Sequence, residues 1–148
     1  GPFQFPEKLI PVIILSCIKK KKIPIYGKGK NVRDWIFVED HCDAVIRVLK
    51  KSESKKTYLI GSNNEKINLE IAYKICDIFQ KKIDKNFDYR KLINFVEDRK
   101  GHDFRYAINF TKIQKDLNWR PKYKFNEGIY KTIDFYTKNF QNLKKIFE

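Results

Sequence analysis

The chain has 148 residues, of which 42% are hydrophobic and 34% are charged, so it can build one core of ordinary domain size and is too apolar for a disordered segment. Its longest apolar run, residues 9–18, is interrupted by Pro11 and Ser16 and falls short of the roughly 18 residues that cross a membrane. The net charge of +14 is typical of nucleic-acid-binding proteins, but Lys supplies 26 of the 32 basic residues, and Lys, Asn and Ile are abundant together, as A+T-rich coding produces. We therefore expect neither a nucleic-acid nor a membrane partner.

The first forty residues predict a helix and two short extended segments. Pro6 suits the first position of a helix, with Glu7 in its first turn and a broad apolar stripe over residues 9–18. Residues 23–27 form an extended segment that ends in a glycine turn, and residues 35–38 are extended again.

The middle of the sequence predicts a helix, a strand and a second helix. Asp40 can cap a helix that continues to Leu49. Residues 57–61 have the pattern of a buried strand that ends in a turn. Asn68 can cap the next helix, whose apolar stripe covers residues 71–79.

The last third predicts a strand and two helices. Residues 92–96 form the strand, and residues 111–117 form a short helix that Pro121 prevents from continuing. A longer amphipathic helix begins near Phe125, with Asn126 as a possible cap.

Helices that alternate with isolated short strands predict an α/β protein, mostly helical, whose sheet lies largely elsewhere. Strands of this length do not form a stable sheet by themselves. We therefore expect residues 1–148 to be one region, the C-terminal piece of a larger enzyme.

The three cysteines, Cys17, Cys42 and Cys76, fit neither a disulfide framework nor a zinc motif, because their number is odd and their spacing wide. Each lies in an apolar helical pattern, where a thiol behaves as a small hydrophobic group. We expect three buried free thiols, as suits the reducing cytoplasm, and no metal site.

No complete catalytic set is visible, but groups suited to bind an anion lie at the ends of predicted elements. Arg33 precedes an apolar strand, Asn68 opens a helix, and the run Asp98-Arg99-Lys100-Gly101-His102 follows a strand. Arg can grip a phosphate with two N–H groups, and a helix N-terminus offers backbone N–H groups to an anion. Together they indicate a phosphorylated small ligand such as a nucleoside diphosphate.

Each of these residues also has a purely structural alternative. Arg33 can form a surface ion pair with Asp34, and Asn68 can be an N-cap and nothing more. Arg99 can pair with a neighbouring carboxylate, and His102 can be an ordinary loop residue.

A family resemblance rests on motifs that are spread over nearly the whole sequence. The first of them is Gly-Pro-Phe-Gln-Phe-Pro-Glu-Lys-Leu-Ile-Pro, at residues 1–11. Later motifs are Pro24-Ile25-Tyr26-Gly27, Arg33-Asp34-Trp35, Val38-Glu39-Asp40-His41, Tyr58-Leu59-Ile60-Gly61, Gly101-His102-Asp103 with Arg105-Tyr106-Ala107, and Leu117-Asn118-Trp119. In this order they resemble the dTDP-glucose 4,6-dehydratases, a family of extended short-chain dehydrogenases/reductases. The opening run and the Gly-His-Asp…Arg-Tyr-Ala run are the motifs most specific to that family.

The resemblance implies an NAD(P)-binding Rossmann fold of which this chain is the C-terminal substrate-binding part. In the family, NAD takes a hydride from C4 of dTDP-glucose, water leaves across C5 and C6, and the hydride returns to C6. The Rossmann glycines, the Tyr-x-x-x-Lys pair and the Asp–Glu acid/base pair would all lie in a missing N-terminal half. We therefore expect this chain alone to be inactive, NAD to be bound by that half, and the complete enzyme to be a homodimer.

The substrate-binding residues that the resemblance implies are Lys8, Leu9, Pro24, Ile25, Tyr26, Arg33, Asn68, Asp98, Arg99, Lys100, Gly101 and His102. Those at positions 24–26 match the segment along the thymine, and Arg33 and Asn68 match residues near the diphosphate. Arg99 is the expected phosphate ligand. The sequence departs from the family at Lys100, where Pro is usual, and at Lys124, where a Ser or Thr cap is common.

Two other functions stay open. One is another nucleotide-sugar epimerase, dehydratase or decarboxylase of the same fold. The other, from a different class, is a basic nucleic-acid-binding module, which a steep dependence of binding on salt would reveal.

Overall fold

The computed structural model of the protein describes the backbone of residues 1–147 and the side chains of residues 1–142. In sequence order the elements are α1 (Leu9–Lys19), β1 (Ile23–Tyr26), β2 (Val32–Asp34), α2 (Val38–Lys51), β3 (Glu65–Ile67), α3 (Asn68–Lys82), a 3-10 turn (Tyr89–Leu92), β4 (Ile93–Val96), β5 (Arg105–Tyr106), α4 (Thr111–Leu117) and α5 (Phe125–Phe147). The expected α/β composition, mostly helices with a few short strands, is confirmed.

Helix α1 begins at Leu9, three residues after the start predicted at Pro6. The residues before it form a turn in which the N–H of Lys8 donates to the C=O of Phe5 at 3.1 Å. A helix that began at Pro6 would have Pro11 in its interior, where the ring clashes with the preceding turn. With Leu9 in first place, Pro11 is third, and its missing N–H breaks no helical hydrogen bond.

The strands form two small sheets. β1 and β4 pair in parallel, with Ile23 opposite Ile93 and Tyr26 opposite Val96. In the second sheet β2 is central, antiparallel to β3 and parallel to β5. Because a parallel pair ends both strands at the same edge, the segments that follow β1 and β4 emerge side by side.

β1, β4 and α4 confirm their predicted positions to within one residue, but two other predictions are wrong in place. The extended segment expected at residues 35–38 lies earlier, as β2, and Val38 already begins α2. Arg33 is therefore inside a strand and does not precede one. The sequence did not predict β3 or β5, because two or three residues are too few to show an alternation of apolar and polar side chains.

Residues 57–61 do not form the buried strand that the sequence predicts. No strand among residues 1–147 pairs with them, and Leu59 is 57% exposed. An extended segment becomes a strand only where a neighbour supplies the hydrogen bonds, so this apolar run lacks its partner within the described residues. On α2, Val45, Ile46 and Leu49 are exposed as well.

Three residues predicted as N-caps lie inside their helices. Asn68 is the first residue of α3, Asn126 the second of α5 and Asp40 the third of α2. Asp40 is only 2% exposed, and its carboxylate accepts hydrogen bonds from the N–H groups of Lys122 at 2.9 Å and Tyr123 at 3.0 Å. It ties α2 to the segment before α5, a partnership that local sequence does not reveal.

The buried apolar residues form two clusters. The larger one packs α1, α3 and α5 around β1, and all six apolar positions of the predicted α3 stripe are buried in it. The smaller one joins α2 to α4 through Ala44, Ile113 and Trp119. The helical periods of the sequence thus predict the core faces of α1, α3 and α5 correctly.

Two of the three cysteines are buried as predicted. Cys17 on α1 and Cys76 on α3 lie in the larger cluster, where the hydrogen bond that the Cys17 thiol donates to Cys76, together with burial, raises the pKa of Cys17. Cys42 is exposed, because α2 turns the face with Ala44 inward instead. Among the helices of residues 1–147, none is both long and apolar enough to span a bilayer.

Candidate functional site

A cleft of about 520 Å³ opens where the two parallel strands end. Four segments form its wall: the N-terminus of α1, the end of β1, the start of α3 and the loop after β4. The lining residues are Glu7, Lys8, Leu9, Val12, Pro24, Tyr26, Asn68, Arg99 and His102. Its size is in the range of pockets that hold nucleotide-sized ligands.

The parallel pairing of β1 with β4 assembles this site. Tyr26 ends β1 opposite Val96, so the loop that follows β4 lies beside it. In α/β folds, ligands bind outside the carboxyl ends of parallel strands, where such loops converge. Residues that are far apart in sequence therefore share one wall of the cleft.

Gly27 permits the close approach of these two loops. Its N–H donates to the C=O of Val96 at 2.9 Å, and its φ of +55° is in the left-handed region that favours glycine. A Cβ at this position would lie 2.8 Å from Oδ2 of Asp98. The glycine turn predicted at residues 27–29 is thus confirmed, and it brings the Asp98 carboxylate against β1.

Asp98 and His102 are joined by a hydrogen bond within the loop. Oδ1 of Asp98 lies 2.7 Å from Nδ1 of His102 and also accepts the N–H of Arg99 at 2.9 Å. The hydrogen bond from His102 lowers the pKa of Asp98, so this carboxylate is ionised and acts only as an acceptor. Nδ1 of His102 therefore bears a proton.

Asn31 is close to the same ring nitrogen but has another acceptor. Its Nδ2 is 3.3 Å from Nδ1 of His102 and 3.2 Å from the C=O of Asp103. Because the proton of Nδ1 is directed to Asp98, the side chain of Asn31 donates to Asp103. The buried Asn31 thus anchors the end of the loop.

Arg99 supplies positive charge at the cleft. The centre of its guanidinium lies 4.8 Å from the centroid of the Tyr26 ring, a cation–π distance, and Nη2 is 3.5 Å from Nε2 of His102. Lys8 adds a second cation at the start of α1, and Glu7 a carboxylate beside it. Two cations and an aromatic ring on one wall suit a phosphorylated aromatic ligand.

Asn68 presents a buried acceptor at the wall of the cleft. Its Oδ1 is buried without a hydrogen-bond partner. Its own N–H donates to Asn31, and the N–H of Leu69 donates to Gly29, each at 3.0 Å. These two N-terminal donors of α3 are therefore not open to an anion, contrary to the expectation for this helix end. In its present orientation the amide oxygen suits an N–H or O–H group, and the amide would have to rotate to meet a phosphate.

Seven of the twelve predicted residues line the cleft, and the other five do not. Ile25 is buried in the larger core cluster, and Asp98 is hydrogen-bonded to the lining residue His102. Lys100 and Gly101 are exposed at the turn of the loop. Arg33 donates to the C=O of Asp103 at 2.8 Å, so in this structure it braces the loop from β2.

Two lining residues, Glu7 and Val12, are not among those predicted from the sequence. Val12 lies one turn after Lys8 on α1, and its N–H donates to the C=O of Lys8 at 3.0 Å. The helical spacing of four from a predicted site residue was the signal that could have found it.

The described residues contain a glycine pair of the kind that occurs in dinucleotide-binding turns. The glycine pair of residues 27–29 leads from β1 into β2, whereas a dinucleotide-binding turn leads from a strand into a helix. Among the same residues, no group of three or more His, Cys, Asp or Glu side chains could hold a metal ion.

Comparison with known proteins agrees with this architecture. A dTDP-glucose 4,6-dehydratase of Escherichia coli is 46% identical over 139 residues, which are 94% of this chain and 38% of that protein. The solved dTDP-glucose 4,6-dehydratase of Bacillus anthracis, in complex with NAD, is 44% identical and superposes with a TM-score of 0.84. The solved enzyme of the same name from Streptomyces venezuelae, with NAD bound, is 34% identical with a TM-score of 0.87.

The match extends over most of this chain but over only part of each relative. Each of the two solved structures is covered to 42% of its length, and this chain to 95%. The sequence profile of the family described as GDP-mannose 4,6 dehydratase matches residues 1–132. The chain therefore belongs to the GDP-mannose 4,6-dehydratase family, within the NAD-binding extended short-chain dehydrogenases/reductases, and corresponds to the C-terminal part of its relatives.

Proposed function

We propose that this chain binds the substrate of an NAD-dependent dTDP-glucose 4,6-dehydratase, which converts dTDP-glucose to dTDP-4-keto-6-deoxyglucose. The chain spans only about two fifths of the relatives that bear this name, so the activity is assigned to a longer protein that contains it. Residues 1–148 contribute recognition of the nucleotide and the diphosphate.

The cleft at the ends of β1 and β4 is the observation that supports this proposal most directly. Tyr26 offers an aromatic ring to the thymine, and Pro24 extends the same wall. Arg99 and Lys8 offer cations to the diphosphate, and Arg can bind a phosphate through two N–H groups at once. The ligand that combines a flat base with two phosphates matches this arrangement.

The roles proposed for the remaining site residues follow from where they lie. Arg33 has five guanidinium N–H groups and uses only some of them on backbone carbonyl groups, so it can still reach a phosphate. Leu9 supplies an apolar contact. Lys100 and Gly101 follow Arg99 at the exposed turn, outside the cleft lining, where they can contact the part of a ligand that projects from the cleft.

NAD is bound by the N-terminal part of the longer protein, which corresponds to the part of the relatives that this chain does not span. The glycine pair of residues 27–29 lacks the strand-to-helix setting of a dinucleotide-binding turn, and the related enzyme of Bacillus anthracis was solved in complex with NAD. In the proposed reaction NAD accepts and returns a hydride, and residues 1–148 keep the sugar nucleotide in place. A homodimeric assembly and a cytoplasmic location, which the two buried free thiols suit, complete the proposal.

A chimeric enzyme tests the proposal. Residues 1–148 replace the matched segment of the Escherichia coli relative, and conversion of dTDP-glucose to the 4-keto product is followed. We expect turnover by the chimera and none by the 148-residue chain alone. The same turnover assay is repeated with UDP-glucose and GDP-mannose, the substrates that other enzymes of the same fold class would prefer.

Three outcomes separate the candidates. Turnover of dTDP-glucose supports the proposal, and turnover of another nucleotide sugar in its place supports a sister enzyme. A folded chimera that binds no nucleotide sugar but binds DNA, with a steep salt dependence, supports the nucleic-acid-binding alternative. Product formation by the 148-residue chain alone would contradict the assignment of catalysis to the rest of the protein.

A further inference from the structure

We propose that Asp98 and His102 are positioning residues, which act on the ligand by holding the guanidinium of Arg99 at the wall of the cleft. The inference rests on the proposed function, because it takes Arg99 as the group that binds phosphate. The resemblance implies that all residues of the loop 98–102 touch the ligand. In the arrangement proposed here Arg99 binds the ligand, whereas Asp98 and His102 orient Arg99.

The first step is the position of one proton. The Asp98 carboxylate lies 2.7 Å from Nδ1 of His102 and can only accept, so the imidazole has its proton on Nδ1. A neutral ring protonated at Nδ1 has a lone pair on Nε2. Gly27 contributes here, because any side chain at that position would meet the Asp98 carboxylate.

The second step is the contact between His102 and Arg99. Nε2 lies 3.5 Å from Nη2 of Arg99, and with a lone pair it attracts that N–H group. If the proton were on Nε2, two donors would face each other and the guanidinium would move away. The Tyr26 ring contacts the same guanidinium, with 4.8 Å between their centres.

Holding Arg99 in place matters because its side chain is long and exposed. A free arginine loses rotamer entropy when it grips a phosphate, whereas one already held by His102 and Tyr26 loses less. The pair Asp98–His102 therefore raises affinity for the diphosphate without touching it.

The proton position is measured in the 148-residue chain without ligand. There are two histidines, His41 and His102, so ¹⁵N NMR of the imidazole nitrogens is simple to assign. We expect neutral His102 to be protonated at Nδ1 and the exposed His41 to show the mixture of a free imidazole. Asp98→Ala should bring His102 to the His41 pattern, whereas Asp98→Asn, whose Oδ1 still accepts, should preserve it. Glu97→Ala, at the exposed neighbouring position, is the matched control and should change nothing.

The effect on Arg99 is measured as binding of dTDP to the chimeric enzyme. Asp98→Ala should weaken binding about twofold to tenfold, and Arg99→Ala about tenfold or more. In the double variant the loss of Asp98 should add less than about twofold to the loss of Arg99, since residues that act through one another are not additive.

The outcomes separate the inference from the proposed function. Absence of dTDP binding to the parent chimera overturns the proposed function, and the inference is then decided by the NMR result. A proton on Nε2 of His102, or a His102 spectrum unchanged by Asp98→Ala, overturns the inference. So does full additivity of Asp98→Ala and Arg99→Ala, which would mean that Asp98 contacts the ligand by itself.

Discussion

The guanidinium of Arg33 donates to the backbone carbonyl oxygen of Asp103 across 70 residues of sequence, at 2.8 Å. Arg33 is half-buried in β2, whereas Arg99 is exposed on the loop after β4. The two arginines that the sequence assigns to one diphosphate therefore have different surroundings. One braces the substrate loop, and the other lies at the cleft.

This difference predicts different results for Arg33→Ala and Arg99→Ala in the chimera. Both should raise the KM for dTDP-glucose more than they lower kcat, because the diphosphate does not react and is bound equally in ground and transition states. Arg33→Ala should also lower the free energy of unfolding, by about 1 kcal/mol, since it removes two short hydrogen bonds to backbone carbonyl groups. Arg99→Ala should cost less stability, because the contacts of this exposed side chain are longer. Steady-state kinetics and urea unfolding of both variants measure the two effects. An unchanged KM in both would remove these arginines from the site.

Asp40 should be one of the most sensitive polar positions of the fold. Asp40→Ala leaves the N–H groups of Lys122 and Tyr123 without an acceptor in a place that solvent barely reaches. We expect a loss of about 2–5 kcal/mol in the free energy of unfolding, from two unsatisfied donors. Asp43→Ala on the same helix is the comparison and should cost less, because it removes the acceptor of a single donor, Nε1–H of Trp119 at 3.1 Å. Chemical denaturation decides, and equal costs for both variants would contradict the role given to Asp40.

The thiols should react in a defined order. Cys42 is exposed, whereas Cys17 and Cys76 are buried. A thiol-specific reagent should modify one cysteine of the native protein rapidly, and peptide mapping should identify it as Cys42. The other two should react only after unfolding, because both are buried. Cys17 is protected further, because the hydrogen bond that it donates to Cys76 and its burial raise its pKa. Rapid native labelling of Cys76 would show that α1 packs on α3 more loosely than its full burial indicates.

The exposed apolar face of α2 predicts a result that depends on the rest of the protein. Leu49 is 79% exposed in this chain. Leu49→Ser should leave the stability of the 148-residue chain within about 0.5 kcal/mol of the parent, as surface changes usually do. In the chimera the same change should lower the melting temperature, because we expect the added part of the enzyme to cover this face. Lys50→Ser, next to it and also exposed, serves as the control in both proteins.

The sequence by itself determined the helices, most of their buried faces and the family. The stripes of α1, α3 and α5 follow from periods of three and four residues, and those contacts are local. The residue types of the site were also readable, because the motifs at positions 8–9, 24–26 and 98–102 are contiguous in sequence. The start of α1 was predicted three residues too early, because Pro6 by itself suits the first position of a helix.

Only the tertiary structure decided which of these residues meet. Lys8 and His102 line one cleft because β1 and β4 pair in parallel, and this pairing joins segments that are distant in sequence. Partners such as Asp40 with the segment before α5, or Arg33 with Asp103, have no local signature, because a hydrogen bond depends on distance and angle after folding. Residues 57–61 show that a local pattern alone does not make a strand. Their pattern is that of a strand, but a strand exists only where a neighbouring backbone completes its hydrogen bonds.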